Sequence, residues 1–214
     1  MIAQLFRSGA PAIYGAFNTI MDMATTIFSY GAVEMNLMTA AMAQMAQHYK
    51  LPFFGTAGCS DAKSDDDPQA VIEATFSCLS SGLSGANLVH DFGLLDHSAL
   101  ISPKYLVLVD EILSMVRHYM RGIVVNDETM ALDLIDRVGP AGNYLEAAHT
   151  RRNFRTVWYS KLFDRTTYDV WRQQGGKRMS DLLREKTRSL MAGDPEMLPS
   201  ELIGEMNRMA KHWK

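Results

Sequence analysis

A thiol, a carboxylate and a primary amine lie within one short segment, GTAGCSDAK, as Cys59, Asp61 and Lys63. A cysteine among small residues after an apolar run is a candidate nucleophile or metal ligand, and equally a small packing residue. Asp61 and Lys63 fit an acid and a base, anchors for a charged ligand, or a solvated loop pair. A desolvated Lys63 could also form a Schiff base. Asp65, Asp66 and Asp67 read as acids at a helix start. A second group, His90 and Asp91, directly follows a short apolar run. Strand neighbours point to opposite faces, so this pair is not expected to hydrogen-bond to each other, and one of them faces ligand. Phe92 beside them joins the ligand-facing set, and His97 is the weaker histidine. The third group is Tyr14, Asn18 and Asp22. Aromatic rings with a carboxylate are what a quaternary ammonium ion requires, although the same residues fit a helix cap. The histidines at 48, 118, 149 and 212 read as surface or helix residues.

The elements that must position these groups alternate. Residues 12–14 form a short apolar run ending at Gly15, and a helix is expected over 19–30, stopped by Gly31. A second helix fits 34–49, with Leu37, Met38, Ala41, Met42 and Met45 at helical spacing. Residues 51–56 read as a strand. Asp67 then offers an N-cap and Pro68 the first helical position, with a stripe at Val71, Ile72, Thr75, Phe76 and Leu79. Residues 86–89 form another strand. Ser102 and Pro103 repeat the cap signal for a helix to about 121, with Leu106, Val109, Leu113 and Val116 as its stripe and Gly122 as its stop. Strand–helix alternation predicts a parallel sheet of βα units, with chemistry in the loops after the strands. Beyond a helix at 130–138 the chain turns charged and aromatic, with helices at 167–174, 178–191 and 200–213.

Composition removes several function classes. The 214 residues carry a formal net charge of −3 and 47% hydrophobic content, so no basic face for nucleic acid or anionic membrane is expected. No apolar stretch approaches the roughly 18 residues that span a bilayer, and MIAQLFRSGAPAIYG is too polar for a signal peptide. The expected location is cytoplasmic. Cys59 and Cys78 form no disulfide framework, and without CxxC or HxxxH spacing no metal site is expected. There is no G-x-G-x-x-G, Walker A loop or G-x-S-x-G elbow. The 15 methionines, many between residues 21 and 45, read as core filler or as a plastic binding surface.

The motifs YG-x-F-x-T-x-x-D-M, AG-C-S-D-A-K and VNDET-x-A-x-D-x-I occur in the order found in the trimethylamine methyltransferase family, which the chain resembles over most of its length. The resemblance implies the C-terminal half of a TIM (β/α)8 barrel with a helical C-terminal tail. Residues 1–150 would be the partial barrel and 151–214 an extension packed on it. It implies transfer of a methyl group from a methylated amine to the cobalt of a corrinoid (cobalamin) carried by a partner protein. Archaeal trimethylamine enzymes of the family carry pyrrolysine, expected near residues 58–61. Standard residues here imply a quaternary amine such as glycine betaine ahead of trimethylamine. His90, Asp91 and Cys59 become the candidate catalytic residues; Tyr14, Asn18, Asp22, Asp61, Lys63 and Phe92 become the candidate substrate-binding residues. A half-barrel exposes strand edges and an apolar face, which implies a homo-oligomer or a complementary N-terminal half. The readings from other classes are a non-catalytic half-barrel serving assembly and a Schiff-base lyase using Lys63.

Overall fold

Two adjacent phenylalanines organise the sheet. In the computed structural model, which describes residues 2–15, 17–193 and 198–211, the strands are β1 (Tyr14–Gly15), β2 (Phe53–Thr56) and β3 (Leu88–His90). They form one parallel sheet in that order, pairing Tyr14 with Phe53 and Thr56 with His90. A short helix, α1 (Ile2–Phe6), precedes them; α2 (Val33–His48) and α3 (Pro68–Leu83) make the two crossovers. Phe53 points to the helices and packs with Ala43 and Ala46 of α2. Phe54 points the other way and is 39% exposed.

The cap signals hold. Asp67 accepts the Gln69 N–H at 2.9 Å with Pro68 at the start of α3. Ser102 accepts the Tyr105 N–H at 3.1 Å at the start of α4 (Pro103–Met120). Between β3 and α4 lies an antiparallel pair, β4 (Leu94–Leu95) and β5 (Leu100–Ile101), which the sequence reading had as loop.

The apolar stripes need correction. Helix α3 buries Ala70, Ala74, Ser77, Cys78 and Ser81, while Ile72 is 67% exposed and Phe76 also faces out. Helix α2 buries Met35, Asn36, Thr39, Ala43 and Ala46, while Leu37 is 66% exposed and Met45 is exposed too. Small residues bring helices close to a sheet and to each other, so close packing selected the small face. Of the methionines grouped at 21–45, Met35 is the one in the core.

The helix expected at 19–30 is absent. Asp22 Oδ1 instead accepts the Ala24 and Thr25 N–H groups at 2.9 and 2.8 Å, and the Asp22 N–H donates to the Ile27 carbonyl at 2.8 Å. A bridge between Met21 and Phe28 closes a hairpin-like loop. An aspartate bonded to its own neighbours offers the backbone an alternative to the helix.

Further on, α5 (Asp127–Met130) and α6 (Leu132–Val138) replace the single helix expected at 130–138, because Ala131 between them is left-handed with φ 50°. The tail holds α7 (Ala148–Asn153), a 3-10 turn (Phe154–Thr156), α8 (Tyr168–Gln173), α9 (Met179–Met191) and α10 (Ser200–Ala210). The expected extension of the last helix to 213 and its His212 lie outside the described residues. The tail packs on α4: Leu162 and Leu183 share a core with Tyr105, Leu108 and Ile112. The buried Glu111 of α4 accepts the Lys161 N–H at 2.8 Å. Among the described residues, no helix is long and apolar enough to cross a membrane.

Two stability results are expected. Phe53→Ala should lower unfolding free energy by about 3–5 kcal/mol in a denaturant titration, as for other large core truncations. Asp65 is paired with Lys104 at 2.7 Å. Burial pushes its carboxyl up, but hydrogen bonds from Lys104 and Ser102 outweigh this and hold it below its ordinary value. A depressed folded pKa contributes stability above the unfolded value of about 3.9 and loses it as pH falls through the folded value. Asp65→Asn should therefore cost stability at neutral pH, and the gap from wild type should close in acid below about pH 4.

Candidate functional site

The last residues of β1 and β3, Gly15 and His90, and Phe54 of β2 face one concavity of about 380 Å3, which Phe17, Tyr30 and Asp91 also line. Rings dominate it. Phe54 stacks on His90 with centroids 4.3 Å apart and planes 16° apart. Phe17 and Phe28 lie 5.0 and 5.3 Å from Tyr30. Strand register sets this arrangement. Phe54, Thr56 and His90 share the face away from the helices, and Thr56 Oγ1 sits 3.3 Å from His90 Nε2.

The other His90 nitrogen, Nδ1, lies 2.7 Å from Asp91 Oδ1, which corrects the expectation that these neighbours do not pair. Asp91 is left-handed with φ 76°. Strand alternation ends there, and the chain turns the carboxylate back toward the ring. Its second oxygen, Oδ2, is buried and accepts no hydrogen bond. The negative charge of Asp91 is felt nearby: burial first, and Asp91 second, push the Cys59 thiol far above its ordinary range. Burial likewise raises the Tyr30 phenol, against a hydrogen bond with Ser98.

The remaining candidates stand elsewhere. Cys59 is 1% exposed and packs with Tyr30 and Met35; a thiol so held does not supply a thiolate, which removes it from the catalytic set. Tyr14 faces α2, where its hydroxyl meets the Met42 sulfur at 3.7 Å, because its neighbour Gly15 takes the concave side. Asp22 caps its own exposed turn, and those hydrogen bonds from Thr25 and Ala24 hold its carboxyl below the ordinary value. Asn18 is exposed in the loop after β1. Phe92 leans toward α4 and lines a separate cavity of about 630 Å3 with Leu106 and Val109.

Lys63 pairs with Asp96 at 2.5 Å and meets His97 Nε2 at 3.0 Å. Asp61 accepts the Tyr30 and Gly31 N–H groups at 2.7 and 3.0 Å and the Ser29 hydroxyl. His97 Nδ1 lies 2.9 Å from the Asp61 carboxylate, off the line of a hydrogen bond. The turn carrying Asp96, His97 and Ser98 has three successive positive φ angles, 48°, 52° and 67°. Backbone strain of this kind collects where side chains must be held for function. Among the described residues, no group of histidine, cysteine and carboxylate side chains could hold a metal ion.

Sequence reasoning missed Phe17, Phe28, Tyr30 and Phe54. For Phe54 a signal existed, since alternation from the buried Phe53 places it on the open face. Phe28 and Tyr30 had none, being assigned to a helix that does not form.

A family model described as Trimethylamine methyltransferase (MTTB) matches residues 1–205. "Trimethylamine methyltransferase MttB" of Desulfitobacterium hafniense (strain DSM 10664 / DCB-2) is 33% identical over 212 residues, covering 99% of this chain and 42% of the relative. "Glycine betaine methyltransferase" of D. hafniense (strain Y51) is 35% identical over 175 residues, covering 81% and 36%. "Trimethylamine methyltransferase MttB" of Methanosarcina barkeri (strain Fusaro / DSM 804) is 35% identical over 191 residues, covering 89% and 38%. The chain thus spans about two fifths of the length of these relatives.

Thiol chemistry gives a direct check on the site. Burial pushes Cys78 up to about 12 and Cys59 further. Because the thiolate is the reactive form, a thiol reagent at about pH 8 should leave both residues unmodified in the folded chain and label both in denaturant. Labelling of native Cys59 at the rate of a free thiol would restore it as a nucleophile.

Proposed function

Because the chain belongs to the trimethylamine methyltransferase family, we propose that this concavity holds a methylated amine, quaternary for preference, and presents one methyl group to a corrinoid carried by a separate protein. The observation that carries the reading is the carboxylate-bearing Asp91, which lines a concavity walled by Phe17, Tyr30, Phe54 and His90. A quaternary ammonium ion has no N–H to donate. It is held by ring faces, at about 0.5–2 kcal/mol each, and by a nearby negative charge. His90, fixed between Thr56, Asp91 and Phe54, orients the bound amine. The mouth stays open, with Phe17 44% exposed, which suits a flat macrocycle arriving from outside. The corrinoid supplies the nucleophilic metal; this chain's residues hold the amine, aim its methyl group and exclude water, a catalysis of position and charge. Glycine betaine, the substrate in the name of one relative, is the first amine to test.

In the same reading the three-stranded sheet is a sector of a TIM barrel, which takes about 250 residues and eight strands in full. Residues 1–150 belong to that barrel and 151–214 extend it. Leu88 and Phe54 on the open face would then point into the barrel interior. That exposure also favours the second reading, a non-catalytic module completed by another chain.

Calorimetric titration of the chain with glycine betaine, carnitine, choline and trimethylamine separates the two. The amine reading expects saturable binding, weakened about tenfold or more by Asp91→Asn and by Phe54→Ala, and methylation of cob(I)alamin from the amine that binds. Self-association with neither amine binding nor methyl transfer would overturn it in favour of the assembly module.

A further inference from the structure

We propose that Asp61, braced by Glu73, is a latch that positions the aromatic wall of the site and does not touch the amine. The inference rests on the amine reading for its purpose, though not for its geometry. Residues 17–31 carry Phe17 and Tyr30, two of the rings at the concavity, and Phe28, which packs edge-on against Tyr30. This loop is tied mainly to itself. Met21 bridges Phe28, the Thr19 hydroxyl donates to the Ser29 carbonyl, and Asp22 caps its tip. Most of its side chains from Phe17 to Phe28 are exposed.

Its return to the body of the molecule is where one carboxylate gathers three consecutive residues. Asp61 Oδ1 accepts the Tyr30 N–H at 2.7 Å, and Oδ2 accepts the Gly31 N–H at 3.0 Å and the Ser29 hydroxyl. Successive backbone N–H groups around one anion form a compact, charge-assisted clamp. With those donors engaged, Asp61 is committed to the loop.

Asp61 is itself held from below. Glu73 of α3 accepts the Asp61 N–H at 2.8 Å and the Ser60 hydroxyl at 2.5 Å through Oε2, and Gln69 Nε2 at 2.8 Å through Oε1. The same carboxylate fills the space beside Gly31, where an added Cβ would lie 2.2–2.4 Å from its atoms. Helix α3, the loop after β2 and the aromatic loop therefore meet at two carboxylates. Tyr30, placed by this junction, is buried against Cys59 and Met35 with one side on the concavity. Loss of the latch would leave the sheet intact and release the wall.

Amide hydrogen exchange of the folded chain, read residue by residue by NMR, tests this without any ligand. In Asp61→Asn the Tyr30 and Gly31 amides should exchange about tenfold faster or more, as expected for loss of hydrogen bonds to a charged acceptor. Amides inside α3 should change by less than about twofold. Gly31→Ala, which displaces the Glu73 carboxylate and removes no hydrogen-bonding group, should shift the same amides in the same direction. It and Ser29→Ala decide the matter if Asp61→Asn does not fold. Unchanged protection of Tyr30 and Gly31 in these variants would overturn the latch. Titration with tetramethylammonium adds the second arm. Weaker binding by Asp61→Asn alongside lost protection supports positioning; lost binding with protection intact would make Asp61 a ligand contact and overturn the proposal. Wild-type chain that binds no amine, yet loses protection in Asp61→Asn, would sink the amine reading and leave the latch standing.

Discussion

Phe53 and Phe54 cannot face the same side of a strand, and much of the molecule follows from that. Alternation sends Phe53 into the helix layer, where Ala43 and Ala46 leave room for its ring. It sends Phe54 to the open face, where it stacks on His90. Parallel register carries the same division across the sheet: Tyr14, opposite Phe53, goes with the helices, and His90, opposite Thr56, goes with the site. A one-residue slip would exchange the two sets, bringing Phe54 to the helix layer and turning Tyr14 and Phe53 to the open face.

Joining the layers falls largely to carboxylates. Asp61, Glu73 and Glu111 each accept hydrogen bonds from backbone N–H groups of a distant segment, and Asp65 pairs with Lys104 across to α4. Loops after parallel strands have many unpaired N–H groups, and buried donors left alone are costly. One carboxylate with two oxygens can satisfy several of them. Asp61, Glu73, Asp65 and Glu111 are thus engaged in holding segments together.

Legibility in the sequence followed the range of the interaction. The Asp67 and Ser102 caps, each followed by proline, act within one turn, and both helices begin where those residues place them. Parallel strand–helix alternation was also legible, because it needs only element order. The stripes of α2 and α3 were not. Hydrophobicity ranks Leu37, Ile72 and Phe76 above alanine and serine, but close approach of helix to sheet selects the small residues, a matter of distance that periodicity does not encode. The helix expected at 19–30 failed for a local reason that was visible but underweighted: Asp22 with Thr25 and Thr26 favours a turn. That miss hid Phe28 and Tyr30. The pairing of His90 with Asp91 was missed because alternation was carried one residue past the strand, where a left-handed Asp91 ends it.

The sequence named both Asp61 and Asp91 as site candidates, and residue type alone could not separate their surroundings. Both lie in loops after strands, and both are mostly buried. Asp61 has donors on both oxygens, so its charge is already delocalised into three hydrogen bonds and its position is fixed by them. Asp91 has one contact, the His90 ring, and a second oxygen that accepts none. A buried carboxylate oxygen without a donor is costly for the folded protein alone. In the proposed reading, a bound cation without N–H groups would balance the carboxylate's charge, and the rings of Phe17, Tyr30 and Phe54 would meet its methyl groups. A protonated primary amine or a peptide N–H in the same place would leave donors facing aromatic walls. In the proposed reading the walls would therefore favour a cation clothed in methyl groups, with its charge on the Asp91 side of the concavity.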